Sequence, residues 1–157
     1  MTTTLTMPEQ RISILEKGQK ALQPLFGVGA YVKKSTIERS LLELVNFRVS
    51  QINGCCYCLD MHAKDARAMG ETEQRLYGLS SWRETPYYSD RERAALAWGE
   101  AVTKCHVPDE LYEQVSEQFS EQEIIDLTMS VALINTWNRL NISFATTPGS
   151  YRVGQFG

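Results

Sequence analysis

The chain has 157 residues, a length that suggests a single domain over 1–157, large enough to bury a real core without staples or metals. Its 43% hydrophobic and 22% charged residues are an ordinary globular balance, and its net charge of −3 argues against a nucleic-acid surface, which would be basic. The start, MTTTLTMPEQ, has neither the positive nor the apolar region of a secretory signal, and the longest apolar-leaning stretch, LTMSVALINTW (127–137), is too short to span a bilayer. A cytoplasmic protein with no membrane partner is expected.

Helix signals dominate and no run alternates in Val, Ile and Thr, so the expected fold class is all-α. Pro8 suits the first turn of a helix over 8–22, and a second helix is expected over 25–33. Ser35-Thr36-Ile37-Glu38 has the capping-box pattern and would open a helix over 36–52. Gly54 and Gly70 read as helix-ending glycines on either side of a helix over 55–69, followed by 72–80. Ser89-Asp90-Arg91-Glu92 opens 90–104, a helix over 108–118 follows, and Ser120-Glu121-Gln122-Glu123 opens 121–143. The tail TTPGSYRVGQFG (146–157) reads as loop.

On the helix over 36–52, Ile37, Leu41, Leu42, Val45, Val49 and Ile52 cover one wide face, with Leu44 and Phe47 beyond its edge and Glu38 and Arg48 interrupting it. Arg39, Glu43, Asn46 and Ser50 share a narrow polar stripe. It reads either as a solvated face with Arg39 and Glu43 paired at i,i+4, or as a polar wall facing an internal site. Periodicity does not choose between them.

NGCCYCLDMH (53–62) gathers three of the four cysteines and one of the two histidines. If a helix starts at Cys55 or Cys56, then Cys55, Cys58 and His62 fall at i, i+3 and i+7 on one stripe, with Cys56 turned about 100° away. Residues three apart on a helix lie roughly 5–5.5 Å from each other at Cα, within the range a disulfide accepts. The first helical turn also stabilises a thiolate. His62, four residues beyond Cys58, is placed to hydrogen-bond its sulfur or take its proton. That favours Cys58 as the attacking thiolate and Cys55 as the resolving one; the usual behaviour of Cys-x-x-Cys motifs gives the opposite order.

Three readings compete for this set. It is a group of small buried hydrophobes with a core histidine, a zinc site completed by Cys105 or His106, or a redox dithiol. No second Cys-x-x-Cys supports zinc, and the βαβ context of thioredoxin is missing, so the redox reading is preferred. Cys105 and His106 suit a helix end before Pro108. Trp82, Trp98 and Trp137 read as core or subunit contacts, and Asn135, Asn138 and Arg139 as possible neighbours of the site.

Glu43, Cys55, Cys58 and His62 together resemble the Glu…Cys-x-x-Cys-x-x-x-His signature of the AhpD-like alkylhydroperoxidases, within the carboxymuconolactone decarboxylase superfamily. LLELVNFRVSQINGCCYCLDMHAKDARAMGE (41–71), SDRERAALAWGEAVT (89–103) and VALINTWNRLNISF (131–144) are similar to that family too, so the resemblance covers about 35–145 and is closest to its small single-domain branch. It implies a compact all-helical fold and a cofactor-free peroxidase. Carried over by position, Cys58 would be the peroxidatic cysteine, Cys55 its disulfide partner, and His62 and Glu43 members of a proton relay. The chain departs from the pattern at Cys56, and at Tyr57, where founding members carry a histidine.

The partners implied are a small organic hydroperoxide, an external dithiol reductant such as a lipoyl-bearing or thioredoxin-like protein, and further copies of the chain in a trimer or hexamer. Leu44 and Phe47, left outside the main apolar face, and a tail whose Tyr151, Val153 and Phe156 suit docking on a neighbour, point to the same homo-oligomer. The rival functions are a decarboxylase or lactone-ring enzyme, which has no use for two cysteines at redox spacing, and a non-enzymatic redox sensor or zinc-stabilised interaction domain.

Overall fold

The structure, a computed structural model, describes residues 6–156. These form eight α-helices and one 3-10 turn, with no strand among the described residues. In chain order they are α1 (Ile14–Lys17), α2 (Gln19–Val32), α3 (Arg39–Asn53), α4 (Cys56–Ala68), α5 (Glu73–Gly78), the 3-10 turn Leu79–Glu84, α6 (Asp90–Thr103), α7 (Asp109–Ser116) and α8 (Glu121–Ser143). No helix among them is long and apolar enough to cross a membrane.

The N-terminal third departs from expectation. Residues 6–13 are not helical, and the helices expected over 8–22 and 25–33 are instead one short turn and one long helix that meet at Gly18. Pro24 does not divide α2. It lies in the second turn on an exposed side, where its ring removes one backbone bond without turning the helix aside. The capping boxes at Ser89 and Ser120 both form, but the one at Ser35 does not. There Glu38 itself precedes the first turn of α3. Its carboxylate is bound by Arg91, and the Thr36 hydroxyl donates to Glu123 instead.

α3 runs through the middle of the fold and packs against α4, α6 and α8. Its main apolar face, with Leu41, Leu42, Val45 and Val49, joins Trp98, Leu127, Val131 and Ile134 in one core cluster. Its other side is not left bare. Leu44 is buried with Leu76, Leu79, Trp82 and Leu96, and Phe47 packs against that second cluster. The expectation that these two residues mark a subunit interface is therefore corrected: α5, the 3-10 turn and α6 cover them within the chain. Arg48, which interrupts the apolar face, is also accounted for. It donates to the buried carboxylate of Glu100 at 2.8 Å, a group that also accepts from Trp82 and Arg83.

The helices α6 and α3 approach closely at Gly99. A Cβ there would stand 3.0 Å from Val45 Cγ1, and Val45 is fully buried. The tail beyond α8 folds back onto its own chain, not away from it. Tyr151 donates to both Asp65 carboxylate oxygens, at 2.9 and 2.8 Å, and is buried. Lys64 donates to the Gly149 and Tyr151 carbonyls, and Asp60 accepts from the Gly149 N–H. The expected docking arm thus has a partner on α4 of its own subunit, with Val153 alone of its three apolar residues exposed.

Candidate active site

The site begins with the turn between α3 and α4. Gly54 holds a left-handed φ of 70°, which glycine adopts without strain. The Gly54 N–H bonds the Gln51 carbonyl and the Cys55 N–H bonds the Ser50 carbonyl, closing the end of α3 and redirecting the chain into α4. Cys55 is consequently the residue just before the first turn of α4, and Cys58 lies within that turn. Cys55, Cys58 and His62 all face inward and are buried, whereas Cys56 is exposed, as the helical stripe requires.

The Cys55 and Cys58 sulfurs lie 2.7 Å apart. Burial opposes ionisation of both, but the pair sharply divides its two protons. The Cys58 thiol donates to Cys55. Together with the dipole of the Cys58 backbone N–H, the Asn138 amide and the nearby His62, it outweighs burial and lowers the Cys55 thiol to about 7. Cys58 is pushed far up, first by that same hydrogen bond, then by burial and the neighbouring charge. One negative charge thus sits on the pair near neutral pH, with the remaining proton between the two sulfurs.

His62 does not hydrogen-bond either sulfur, contrary to one of the sequence expectations. Its Nδ1 meets Glu43 Oε2 at 2.6 Å, and its Nε2 is buried without a hydrogen-bond partner among the described residues. Glu43 orients the ring through Nδ1 and leaves Nε2 as the buried ring atom free to exchange a proton with a bound reactant. Glu43 thereby resolves the reading of the polar stripe on α3. It is mostly buried, and together with Asn46 and Arg39 it lines a cavity, so the stripe is a polar wall around Glu43 and Asn46, with Arg39 exposed at its outer end.

That cavity measures about 940 Å³. His62, Glu43, Tyr57 and Asn141 form its wall beside the cysteines. Asn141 also donates to Cys58 Sγ at 3.5 Å, so Cys58 lies directly behind a cavity-lining side chain. Asn138, beside Cys55, is fully buried and ties Ser50 to Asn53. Asn135 and Asn138 thus support the turn that carries the cysteines, while Arg139 is exposed and bonds Asn135. Sequence reasoning missed Asn141. Its signal was the spacing of Asn138 and Asn141 at i and i+3 on α8. It also missed Asp65, which lines the cavity from α4. Cys105 and His106 are exposed at the end of α6, and no group of three or more metal-ligating side chains occurs among the described residues.

Residues 18–101 match the model of the carboxymuconolactone decarboxylase family. The chain is 43% identical over 144 residues to the uncharacterized protein YdfG of Bacillus subtilis, covering 90% of this chain and 98% of that one. Among solved structures, a protein of unknown function from Agrobacterium tumefaciens, provisionally assigned to antioxidant defence as an AhpD protein, superposes with a TM-score of 0.87. It is 36% identical, over 91% of this chain and all of that one. The alkylhydroperoxidase AhpD core of a peroxidase-related protein from Ralstonia eutropha JMP134 shares the fold at a TM-score of 0.77 and 18% identity, over 87% of this chain and 74% of that one. The matched segment carries Glu43, both buried cysteines and His62, and the all-helical fold agrees throughout. The chain belongs to the carboxymuconolactone decarboxylase family, on its AhpD-like side.

Proposed function

We propose that the protein is a thiol-dependent peroxidase that reduces organic hydroperoxides through a Cys55–Cys58 dithiol–disulfide cycle. The observation that carries the reading is the 2.7 Å contact between two buried sulfurs behind a cavity wall that bears the His62–Glu43 pair. Neither a decarboxylase nor a lactone-ring enzyme needs two sulfurs in contact.

In the resting pair the charge is on Cys55. Passage of the shared proton from Cys58 to Cys55 places the thiolate on Cys58, the sulfur joined to the cavity by Asn141. The Cys58 thiolate attacks the terminal oxygen of R–O–O–H and the O–O bond breaks. The alkoxide takes a proton from the His62–Glu43 pair and leaves as the alcohol, with a sulfenic acid on Cys58. Cys55 gives its proton to the relay and attacks the Cys58 sulfur, expelling hydroxide, which takes that proton from the relay and leaves as water. Dithiol plus hydroperoxide has become disulfide, alcohol and water. An external dithiol, lipoyl-bearing or thioredoxin-like, then reopens the bond by exchange.

The test is tryptic mass spectrometry after one equivalent of cumene hydroperoxide, followed by turnover with excess dithiol. The expected product is a Cys55–Cys58 link that forms stoichiometrically, with catalytic turnover that Cys58→Ser abolishes. A link that forms without turnover in the presence of dithiols would leave a redox sensor. Absence of the link sinks the reading altogether.

A further inference from the structure

Four aromatic rings from three parts of the chain meet in a row along the cavity wall. Trp137 of α8 and Phe26 of α2 have centroids 5.3 Å apart, Phe26 and Phe156 are 6.1 Å apart, and Phe156 and Tyr151 are 5.8 Å apart. All four line the same cavity as Glu43 and His62. Two of them belong to the tail, and the tail is clamped. Tyr151 is held by Asp65, the backbone around it by Asp60 and Lys64, and the Phe156 carbonyl by Lys33 at 3.3 Å. A segment with no helix of its own is ordinarily loose, and holding it in place costs conformational entropy. Here it is held where it completes an aromatic surface. Phe26 keeps 40% of its surface exposed, so the row is not simply filled core. A short alkyl hydroperoxide would offer these rings no aromatic face or edge to meet.

We propose that the C-terminal segment 146–156 is the specificity wall of the reaction cavity, and that Tyr151 and Phe156, with Phe26 and Trp137, select hydroperoxides that carry an aromatic ring. The proposal rests on the peroxidase reading for its chemistry and on the ring row for its selectivity. A ring entering the cavity stacks or meets edge-to-face with the row while its peroxide group points toward His62 and the cysteine pair. An aliphatic body of similar bulk gains burial but not the ring geometry.

The experiment compares kcat/KM for cumene hydroperoxide and tert-butyl hydroperoxide, with saturating dithiothreitol, in the wild type, Phe156→Ala and Phe156→Leu. The wild type is expected to favour the aromatic substrate by about tenfold. Both variants are expected to reduce that ratio about three- to tenfold, chiefly through KM for the aromatic substrate. The leucine variant keeps apolar bulk and guards against a trivial loss of packing. Equal kcat/KM for the two substrates in the wild type, or a wild-type ratio in Phe156→Leu, overturns the proposal. If neither hydroperoxide is turned over, the peroxidase reading fails by itself and the wall is judged by calorimetry with 2-phenyl-2-propanol and tert-butanol. Selective binding of the aromatic alcohol that weakens in Phe156→Leu supports the wall, and no such binding overturns it.

Discussion

At the scale of single residues, the chemistry hinges on how two thiols in contact share their protons. The pair must lose its first proton before either sulfur is a nucleophile, and that loss occurs at about 7, on Cys55. The rate of a single turnover with hydroperoxide is therefore expected to climb about tenfold per pH unit below this point and to flatten above it. A stopped-flow profile that is flat from pH 5 to 8 contradicts this. Cys56→Ser should leave turnover near wild type, because Cys56 is exposed and points away from the pair. A Cys56→Ser loss as severe as that of Cys58→Ser would mean the wrong sulfurs have been chosen. Glu43→Gln keeps a partner for His62 Nδ1 but removes the carboxylate from the relay. Turnover is expected to fall about ten- to a hundredfold with the helical circular dichroism unchanged, and comparable turnover at neutral pH would end the relay assignment. The cysteines and His62 were legible in the sequence because helical spacing alone puts them on one stripe. Glu43 was not legible that way. An acidic residue on a narrow polar stripe looks the same whether water or a cavity faces it, and only the family resemblance singled it out. Asn141 lies 83 positions from Cys58, and no local pattern links them.

Between elements, the junction of α3 with α6 decides whether the site stays in place. Glu100 is a buried carboxylate. Burial alone would raise its pKa, but Trp82, Arg83 and Arg48 donate to it and hold it below the ordinary carboxylate range. A group depressed in the folded state contributes stability that is fully present above its unfolded value, near 4.5, and is lost as pH falls through the folded value. Glu100→Gln is thus expected to cost about 2 kcal/mol at neutral pH and to flatten the acid limb of the stability curve. Urea denaturation at pH 7 and pH 4 measures both, and equal loss at the two pH values would contradict the linkage. Gly99→Ala sets about 1 kcal/mol of helix propensity against a Cβ pressed onto a buried valine that has no room to move. Crowding of that kind costs about 1–3 kcal/mol, so a net loss is expected, and a rise in melting temperature would show that α6 is free to shift. The helices capped by Ser89 and Ser120 were readable because a capping box is local. Ser35 carries the same letters without the box, since Arg91, far along the chain, takes the Glu38 carboxylate. Arg48 on an apolar face likewise has no local explanation, because its partner Glu100 lies on another helix.

For the whole molecule, the question is whether this fold is complete as one chain. Two of the sequence arguments for a homo-oligomer do not survive: Leu44 and Phe47 are covered internally, and the tail is bound to its own α4. A different surface takes their place. On α8, Ile125, Met129 and Ala132 follow one another at helical spacing along a single exposed stripe, with Ile125 55% and Met129 39% exposed. The helix carries Ile124, Leu127, Val131 and Ile134 into the core, and this second stripe stays uncovered among the described residues, the situation in which apolar side chains mark an interface. The family resemblance points to trimers or hexamers, and a helix stripe repeated around a closed ring would bury it in every subunit while each keeps its own cysteine pair. The wild type is expected to assemble as a trimer or hexamer at micromolar concentration. Met129→Glu is expected to shift it toward the 17.8 kDa chain without loss of helicity, since the side chain faces outward. Light scattering coupled to size exclusion distinguishes the cases. A wild-type mass at the single-chain value, independent of concentration, removes the oligomer. An assembly indifferent to Met129→Glu and to Ile125→Glu places its interface on another face.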